Sequence, residues 1–476
     1  MLKNPLKVYQ DITECIGKTP LIRLNKVTKE YNIKCQVYAK CELFSAGGSS
    51  KDRIGYSLIT EAEKEGRIKP GDTIVEASSG NTAIGLVLTA QTLGYKSVIT
   101  IPDKMSSEKI NLLRAMGAQV IITKTTSNYA DPGSFISVAR RLGEQPGHYY
   151  IEQHNNLHNR LAHIRTTSEE LWEQMEGKMD YIFVTVGTCG TISGIGMGLH
   201  KKDSNIKMIG VDPVGSIIAQ PEGLNKAKKL IKIEGIGQPK IPLNMNYDVV
   251  HEWIKTDDEE SFVMARDLIQ KEGLLVGGSC GSAVIGAFRY LKDKGLDQNE
   301  NLRVVIFLPD GIRNYMSKFL SDSWMVGNGF YPISKLQNPE HPLDNLSVTH
   351  LKNLQPIPYY DARLTVNDCF DLFKKGHSMI PIRANGLITG VVTRNSLIRL
   401  VVDKKLHGMS SANHCTQLNY LKVPYETPLS VLSTMLKTED AVLAIKYTDN
   451  NKIRSIFVVT HNDILDSLHE NLKEVI

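Results

Sequence analysis

Between residues 35 and 320, short runs of β-branched and aliphatic residues alternate with longer stretches of helical periodicity. Gln36–Lys40, Thr73–Glu76, Ser97–Pro102 and Gln119–Thr123 read as strands. Tyr181–Val186, Lys207–Val211 and Val304–Leu308 are nearly continuous apolar runs, each soon followed by Gly or Pro, and read as buried strands. Asp52–Gly66, Thr82–Leu93 and Ser107–Met116 carry helical spacing, and Gly66 supplies a stop. Strands alternating with helices predict βαβ units and a mostly parallel sheet. Ligands of such sheets bind beyond the carboxyl ends of the strands, so the Gly-rich turns after these strands are where chemistry is to be sought.

After Phe330 the texture changes. Residues 331–345 contain Pro332, Pro339 and Pro342 with few large apolar side chains, which predicts a linker. Beyond it Gly390-Val391-Val392-Thr393-Arg394-Asn395-Ser396-Leu397 is echoed by Phe457-Val458-Val459-Thr460-His461-Asn462-Asp463-Ile464. Each copy reads as a strand running into a helix at a threonine. The pair predicts one module of two repeats, at about 346–405 and 412–472. The expected organisation is a first domain over 1–330, the linker, and a small α+β domain over 346–476.

Composition adds exclusions more than assignments. A chain of 476 residues suits roughly two to four domains at about 100–200 residues each. Its net charge of +5 is small for that length, and the densest basic run, Lys226-Ala227-Lys228-Lys229, has no aromatic interleaving, so it reads as solvated surface and nucleic-acid binding is not expected. No apolar run reaches the roughly 18 residues of a membrane span, and the first residues lack the apolar stretch of a secretory signal. The 7 cysteines are odd in number, scattered and without Cys-x-x-Cys, which predicts reduced thiols and a cytoplasmic location. His154 and His158 lie four apart, but with His163 they lack the glutamate of a His-Glu-x-x-His pattern, so no metal is expected.

Three strings carry candidate chemistry. Lys51 stands where the turn Ser45-Ala46-Gly47-Gly48-Ser49-Ser50 enters a predicted helix. Alone it is one lysine among many and would be surface charge; at a loop–helix junction facing a strand end, its amine suits imine formation and proton transfer. Ser78-Ser79-Gly80-Asn81-Thr82 follows a strand and opens a helix, whose free N–H groups favour an anion such as a substrate carboxylate; the plainer reading is an N-cap turn. Gly187-Thr188-Cys189-Gly190-Thr191 also joins a strand to a helix and offers backbone N–H groups and two hydroxyls to a phosphate. It is neither a Walker loop nor a dinucleotide fingerprint.

In this order the three strings resemble the fold-type II enzymes that depend on pyridoxal phosphate. Within that group, residues from about 10 to about 330 resemble the β-replacement branch and, most closely, the cystathionine β-synthase family. Supporting strings are Gly17-Lys18-Thr19-Pro20-Leu21, Met105-Ser106-Ser107-Glu108-Lys109, Asp212-Pro213-Val214-Gly215-Ser216, Glu234-Gly235-Ile236-Gly237 and Arg313-Asn314-Tyr315-Met316-Ser317-Lys318. The resemblance implies an α/β, tryptophan synthase β-like catalytic domain of two open parallel-sheet subdomains. It implies that Lys51 holds pyridoxal 5'-phosphate as a Schiff base and shuttles the substrate Cα proton. Asn81 would bond the cofactor's ring hydroxyl, and Gly187, Thr188, Cys189, Gly190 and Thr191 would hold its phosphate. Ser78, Ser79, Gly80, Thr82 and Gln153 would bind the substrate. The implied reaction condenses L-serine with L-homocysteine to cystathionine and water, with hydrogen sulfide release as a side reaction, in a homodimer. The repeats resemble the paired regulatory domain known as the Bateman module, in which Thr460 and Asp463 match a Thr-x-x-Asp pattern that contacts a nucleotide ribose; S-adenosylmethionine is one such ligand.

Departures fall inside the site. Cys189 stands where the family's phosphate loop has glycine, and Gly311 stands where the family has a serine that bonds the cofactor's ring nitrogen. His154 replaces a residue that is usually aromatic, and Gln238 stands where Tyr or Ala is common. Reduced or tuned activity is therefore expected. The match begins within the first fifteen residues, so no haem is expected, and Cys15 reads as a packing residue. Two rivals remain: a cysteine synthase using O-acetylserine and sulfide, and a catalytically weak sensor working through the Bateman module.

Overall fold

The computed structural model describes residues 8–466 and 469, apart from 79, 103–106, 124–129, 342, 352–353, 359, 362, 385, 403–405 and 418–419. The chain divides into two compact units, Met1–Tyr315 and Met316–Ile476. The division falls fifteen residues before the change in sequence texture at 330, and the short helix Asp322–Gly327 belongs to the second unit.

The first unit contains two sheets. One has six strands in the order β1-β2-β10-β7-β8-β9, formed by β1 (Leu21–Arg23), β2 (Gln36–Cys41), β7 (Tyr181–Thr185), β8 (Lys207–Pro213), β9 (Glu252–Thr256) and β10 (Arg303–Leu308). Only the β1 edge is antiparallel. The other has four parallel strands in the order β5-β4-β3-β6, from β3 (Thr73–Ala77), β4 (Lys96–Pro102), β5 (Gln119–Thr123) and β6 (His148–Tyr150). The mostly parallel pairing is what the alternating pattern predicts, and the division into two open sheets is what the resemblance implies.

The continuous apolar runs are explained by burial on both faces. Side chains alternate across a strand, so Val304, Ile306 and Leu308 of β10 pack with Val284, Ala287 and Phe288 of the helix Gly278–Asp293. Val305 and Phe307 face the other way, onto Ile192, Ile195 and Leu199 of the helix Gly190–His200. Each fully buried aliphatic or aromatic side chain contributes about 1.5–3 kcal/mol, so this layer fixes the register Val304↔Val37 and Ile306↔Phe183 firmly. The helix Gly278–Asp293 escapes a reading by periodicity because its first turn is Gly278-Ser279-Cys280-Gly281-Ser282. Those small residues are required by packing: a Cβ at Gly281 would lie 1.9 Å from the Ser261 carbonyl oxygen.

In the smaller sheet the helix Lys51–Lys64 packs against the helix Asn81–Thr92. Their backbones touch. A Cβ at Gly85 would sit 2.5 Å from the Lys51 carbonyl oxygen, and one at Gly55 would sit 2.6 Å from the Gly85 backbone. No larger residue fits this crossing, and the crossing brings the first turns of the two helices together.

In the second unit β11 (Met379–Ala384) pairs with β12 (Leu387–Thr393). β13 (Lys422–Pro424), β14 (Ala441–Tyr447) and β15 (Ile453–Thr460) form a second small sheet. β12 enters the helix Arg394–Val402 at Thr393, and β15 enters a helical stretch over 461–466 at Thr460. Both copies of the internal repeat thus adopt the strand-to-helix form their sequence predicts.

Candidate active site

Lys51 is the first residue of its helix rather than a residue before it. The turn that delivers it is tied down from both sides. Asp52 accepts the Gly47 N–H at 2.7 Å, and a Cβ at Gly47 would collide with the same carboxylate at 2.5 Å. Ser50 N–H donates to the Pro309 carbonyl at 2.8 Å and Gly311 N–H to the Gly48 carbonyl at 3.1 Å. The lysine turn is therefore stitched to the segment leaving β10. The Lys51 side chain is partly buried, and its ammonium makes no hydrogen bond among the described residues. Burial holds its pKa below the ordinary lysine value, against the opposing pull of Asp310, Glu42 and Asp52.

Asn81 opens the neighbouring helix behind Gly80. Its Oδ1 accepts from Asn314 Nδ2 at 2.8 Å, and its Nδ2 donates to Asp310 Oδ2 at 2.7 Å. Tyr315 donates its hydroxyl to the same Asp310 oxygen. Burial raises the Asp310 carboxyl, with the Tyr315 and Asn81 bonds opposing. The orientation of the Asn81 amide is thus fixed, with its N–H side facing both Asp310 and the Tyr315 hydroxyl. Ser78 is buried and its Oγ accepts the Gly80 N–H at 3.4 Å; Ser79 lies outside the described residues. Thr82 donates to Gln153 Oε1 at 2.6 Å, so two of the expected substrate residues are joined.

The loop after β7 runs Gly187, Thr188, Cys189, and the helix begins at Gly190, so Gly190 and Thr191 form its first turn. Cys189 has φ of 64° and ψ of −3°, the left-handed region. A non-glycine side chain there costs about 1–2 kcal/mol. Its thiol packs in an apolar cluster, and burial pushes its pKa up, so it is a neutral core side chain and leaves its backbone N–H to the loop. A Cβ at Gly187 would approach the Gly235 carbonyl to 2.5 Å, so this edge of the cradle has no room for a side chain.

His163 is a residue that sequence spacing presents only as part of a loose histidine cluster. It is fully buried, and burial holds its pKa well below the ordinary histidine value, with the Arg53 and Lys51 charges acting in the same direction. The neutral ring bridges Thr167 Oγ1 at 2.8 Å and Thr191 Oγ1 at 3.1 Å, which fixes the hydroxyl of the phosphate-loop threonine. His158 instead bonds Glu65. Among the described residues no group of three His, Cys, Asp or Glu side chains could hold a metal, and no helix is long and apolar enough to cross a membrane. Lys109 and Glu234, which sequence reading sees only inside longer strings, form an ion pair, with the Lys109 ammonium 5.7 Å from the Tyr315 ring centroid.

These groups fit pyridoxal phosphate. The Lys51 side chain is partly buried and makes no hydrogen bond among the described residues, the Asn81 amide is held in one orientation, and an eleven-residue helix points its N-terminus from a loop whose Gly187 has no room for a side chain. Gly311 has φ of −105° and ψ of 173°, which any residue adopts. A Cβ there would lie 3.2 Å from Leu43 Cβ and 3.3 Å from the Leu275 carbonyl oxygen, a fit needing a shift of a few tenths of an ångström. Gly311→Ser is therefore expected to fold, and to raise kcat/KM for serine about five-fold if its hydroxyl gains one hydrogen bond of about 1 kcal/mol to the cofactor. An unchanged or lower value, measured on cofactor-saturated protein, would show that no partner is missing.

The pyridoxal-phosphate dependent enzyme family matches residues 12–310. A cystathionine beta-synthase of Dictyostelium discoideum is 42% identical over 472 residues, covering 97% of this chain and 92% of that protein. The cystathionine beta-synthase of Oryctolagus cuniculus is 39% identical over 98% of this chain and 86% of its own length. Among solved structures, O-acetyl serine sulfhydrylase isoform 3 of Entamoeba histolytica superposes with a TM-score of 0.61 at 34% identity, over 67% of this chain and 94% of that one. The sulfhydrylase likeness thus spans two thirds of the chain, whereas the likeness to the synthases continues through the second unit. With this match over nearly the full length of the chain, at 42% and 39% identity, the chain belongs to the cystathionine β-synthase family of pyridoxal phosphate-dependent enzymes.

Proposed function

We propose that Lys51 is the lysine that holds the cofactor and moves the Cα proton as the enzyme condenses L-serine with L-homocysteine. When bound, pyridoxal phosphate supplies an electron sink for the negative charge that develops at the substrate Cα. The observation that carries the assignment is the Lys51 amine, partly buried and without a hydrogen bond among the described residues, where the first turns of two helices meet.

Burial disfavours the charged form of Lys51, so a larger share of the amine is free to take the serine Cα proton at neutral pH. Loss of the β-hydroxyl as water leaves Cβ open to the homocysteine sulfur; one C–O bond breaks and one C–S bond forms, and the proton that the leaving hydroxyl takes up is balanced by the one the homocysteine thiol gives up. Lys51 then returns its proton to Cα. Ser78, Ser79, Gly80 and Thr82, with Gln153, hold the serine carboxylate at the start of the Asn81–Thr92 helix. Gly187, Thr188, Cys189, Gly190 and Thr191 hold the cofactor phosphate, with Thr191 oriented by His163. Asn81 would present its amide N–H side to the cofactor hydroxyl, in exchange for its contact with Tyr315.

The test is acceptor preference. Homocysteine with serine is expected to exceed sulfide with O-acetylserine in kcat/KM; the reverse by orders of magnitude would make the enzyme a cysteine synthase. A holoenzyme whose visible spectrum does not respond to serine would make it the sensor instead.

The same reading assigns residues 1–330 to catalysis, 331–345 to a linker and 346–476 to a Bateman regulatory domain. Support comes from the two strand-to-helix repeats and from Asp463, whose Oδ2 accepts both the N–H and the hydroxyl of Thr460 at 2.8 and 2.6 Å. Its other oxygen is left for a ribose. In the first repeat Thr393 and Ser396 bond each other and offer no carboxylate. A rise in Tm with S-adenosylmethionine, lost in Asp463→Ala, would support a nucleotide-type ligand there, and no shift would count against that ligand. A cytoplasmic homodimer completes the reading, and a monomeric mass at micromolar concentration would overturn the dimer.

A further inference from the structure

Glu76 is a buried carboxyl that the chemistry above does not use. It lies on β3, every residue of which is buried, and it is 1% exposed. Its Oε1 accepts from Gln153 Nε2 at 3.2 Å, while Oε2 is enclosed with no hydrogen-bond partner among the described residues. Two residues further along, the same strand enters the Ser78–Thr82 turn.

The contact has a directional consequence. A glutamine amide can be turned either way, and its neighbours choose. Glu76 Oε1 takes an N–H of Gln153, which turns Gln153 Oε1 toward the Thr82 hydroxyl that donates to it at 2.6 Å. The second N–H of Gln153 is left for a ligand. Asn159 and Asn244 each donate to the Gln153 carbonyl, so the backbone is held as well. With Glu76 in place, the amide has one orientation.

We infer that Glu76 is a positioning residue that sets the Gln153–Thr82 pair to receive the serine carboxylate, and that its ionisation weakens serine binding. The inference rests on the assignment of Gln153 and Thr82 to substrate. An ionised Glu76 would place a negative charge in a poorly polarisable interior, directly behind a site for an anion. The other titratable groups facing it are on the β6 side. Tyr150 is held neutral, because burial pushes its phenol up. Glu152 adds a second negative charge, while the Gln153 side chain and the N–H groups of Gln153 and Glu152 favour ionisation. Burial outweighs them and pushes the Glu76 carboxyl up to about 7.

The experiment titrates holoenzyme with L-serine, reading the cofactor's visible band to obtain Kd, in wild type, Glu76→Gln and Gln153→Ala. The serine amine also titrates, but identically for all three proteins, so the quantity of interest is the ratio of wild-type Kd to that of Glu76→Gln. That ratio is expected to rise about three- to ten-fold between about pH 6 and about pH 8, as only the wild type gains a charge. A flat ratio, with Gln153→Ala weakened several-fold, overturns the role of Glu76 alone. A Gln153→Ala protein that binds serine like wild type overturns the substrate assignment beneath it. Should Glu76→Gln not load cofactor, infrared difference spectra of wild-type holoenzyme give the same answer: serine added near pH 8 must increase the protonated-carboxyl band, and no increase refutes the inference.

Discussion

Lys51→Ala is expected to lower kcat by at least about 10⁴-fold while leaving the fold intact. The magnitude follows from two losses at one atom. Proton transfer by a positioned base contributes about 10²–10⁴-fold, and loss of the covalent anchor removes a second contribution of similar kind. Stability should change little, because the Lys51 ammonium makes no hydrogen bond among the described residues and its burial is itself unfavourable. The visible band of protein-bound cofactor should vanish or shift. Lys51→Arg separates the roles: it keeps a positive charge opposite Asp310 but forms no imine, so it should match the alanine variant in kcat. A Lys51→Arg protein retaining more than about one hundredth of wild-type turnover would show that charge, not imine formation or proton transfer, is what position 51 supplies.

What the sequence made legible here is local. Lys51, Asn81 and the Gly187–Thr191 loop each sit within five or six residues of a glycine-rich turn, and that turn is itself the signal. The residues that orient them are distant in the chain. Asn81 meets Asp310 and Asn314 across 229 and 233 positions, and Gln153 meets Glu76 across 77. No periodicity carries such pairings. His163 is a further case. Its spacing from His154 and His158 raised a metal question, while its actual partners are two hydroxyls, one brought by the helix after β7. The larger sheet was legible in its three apolar strands, because burial on both faces writes a continuous run. β9 was not: Glu252-Trp253-Ile254-Lys255-Thr256 lies at the sheet edge with only Ile254 and Thr256 buried, and its pattern is correspondingly weak. Gly311 illustrates a different limit. Its departure from the family was visible at once, but only the structure shows that its backbone is extended and tolerates a serine.

Arg53 is expected to be the costliest single residue to remove for stability in the first unit. It lies two positions after Lys51 and is 3% exposed. Its guanidinium donates to both oxygens of Glu42, at 2.7 and 2.9 Å, and to both oxygens of Glu170, at 2.6 and 2.8 Å. Lys40, fully buried, completes the group by bonding Glu170 at 2.6 Å and the Thr19 carbonyl at 2.8 Å. Two cations and two carboxylates thus cancel in the interior. Arg53→Met preserves most of the volume but leaves a net negative charge there, which typically costs about 3–5 kcal/mol. At about 2–4 °C per kcal/mol for a unit of this size class, Tm should fall by roughly 6–20 °C. The pH dependence gives a check on cause. Burial works against the Glu170 charge, but the Arg53 bonds and charge prevail and hold its carboxyl down at about 2. A carboxyl depressed from 4.5 to about 2 contributes stability, on the order of 3 kcal/mol, that is present above about pH 4.5 and lost as pH falls toward 2. The gap in Tm between wild type and Arg53→Met should therefore be widest near neutrality and narrow steadily below about pH 4.5. A gap that stays constant with pH would mean that Arg53 stabilises by packing its stem rather than by holding the two carboxylates. Because its helix begins at Lys51, the variant should also release cofactor more readily at temperatures well below its own Tm, and the two losses should share the same pH dependence.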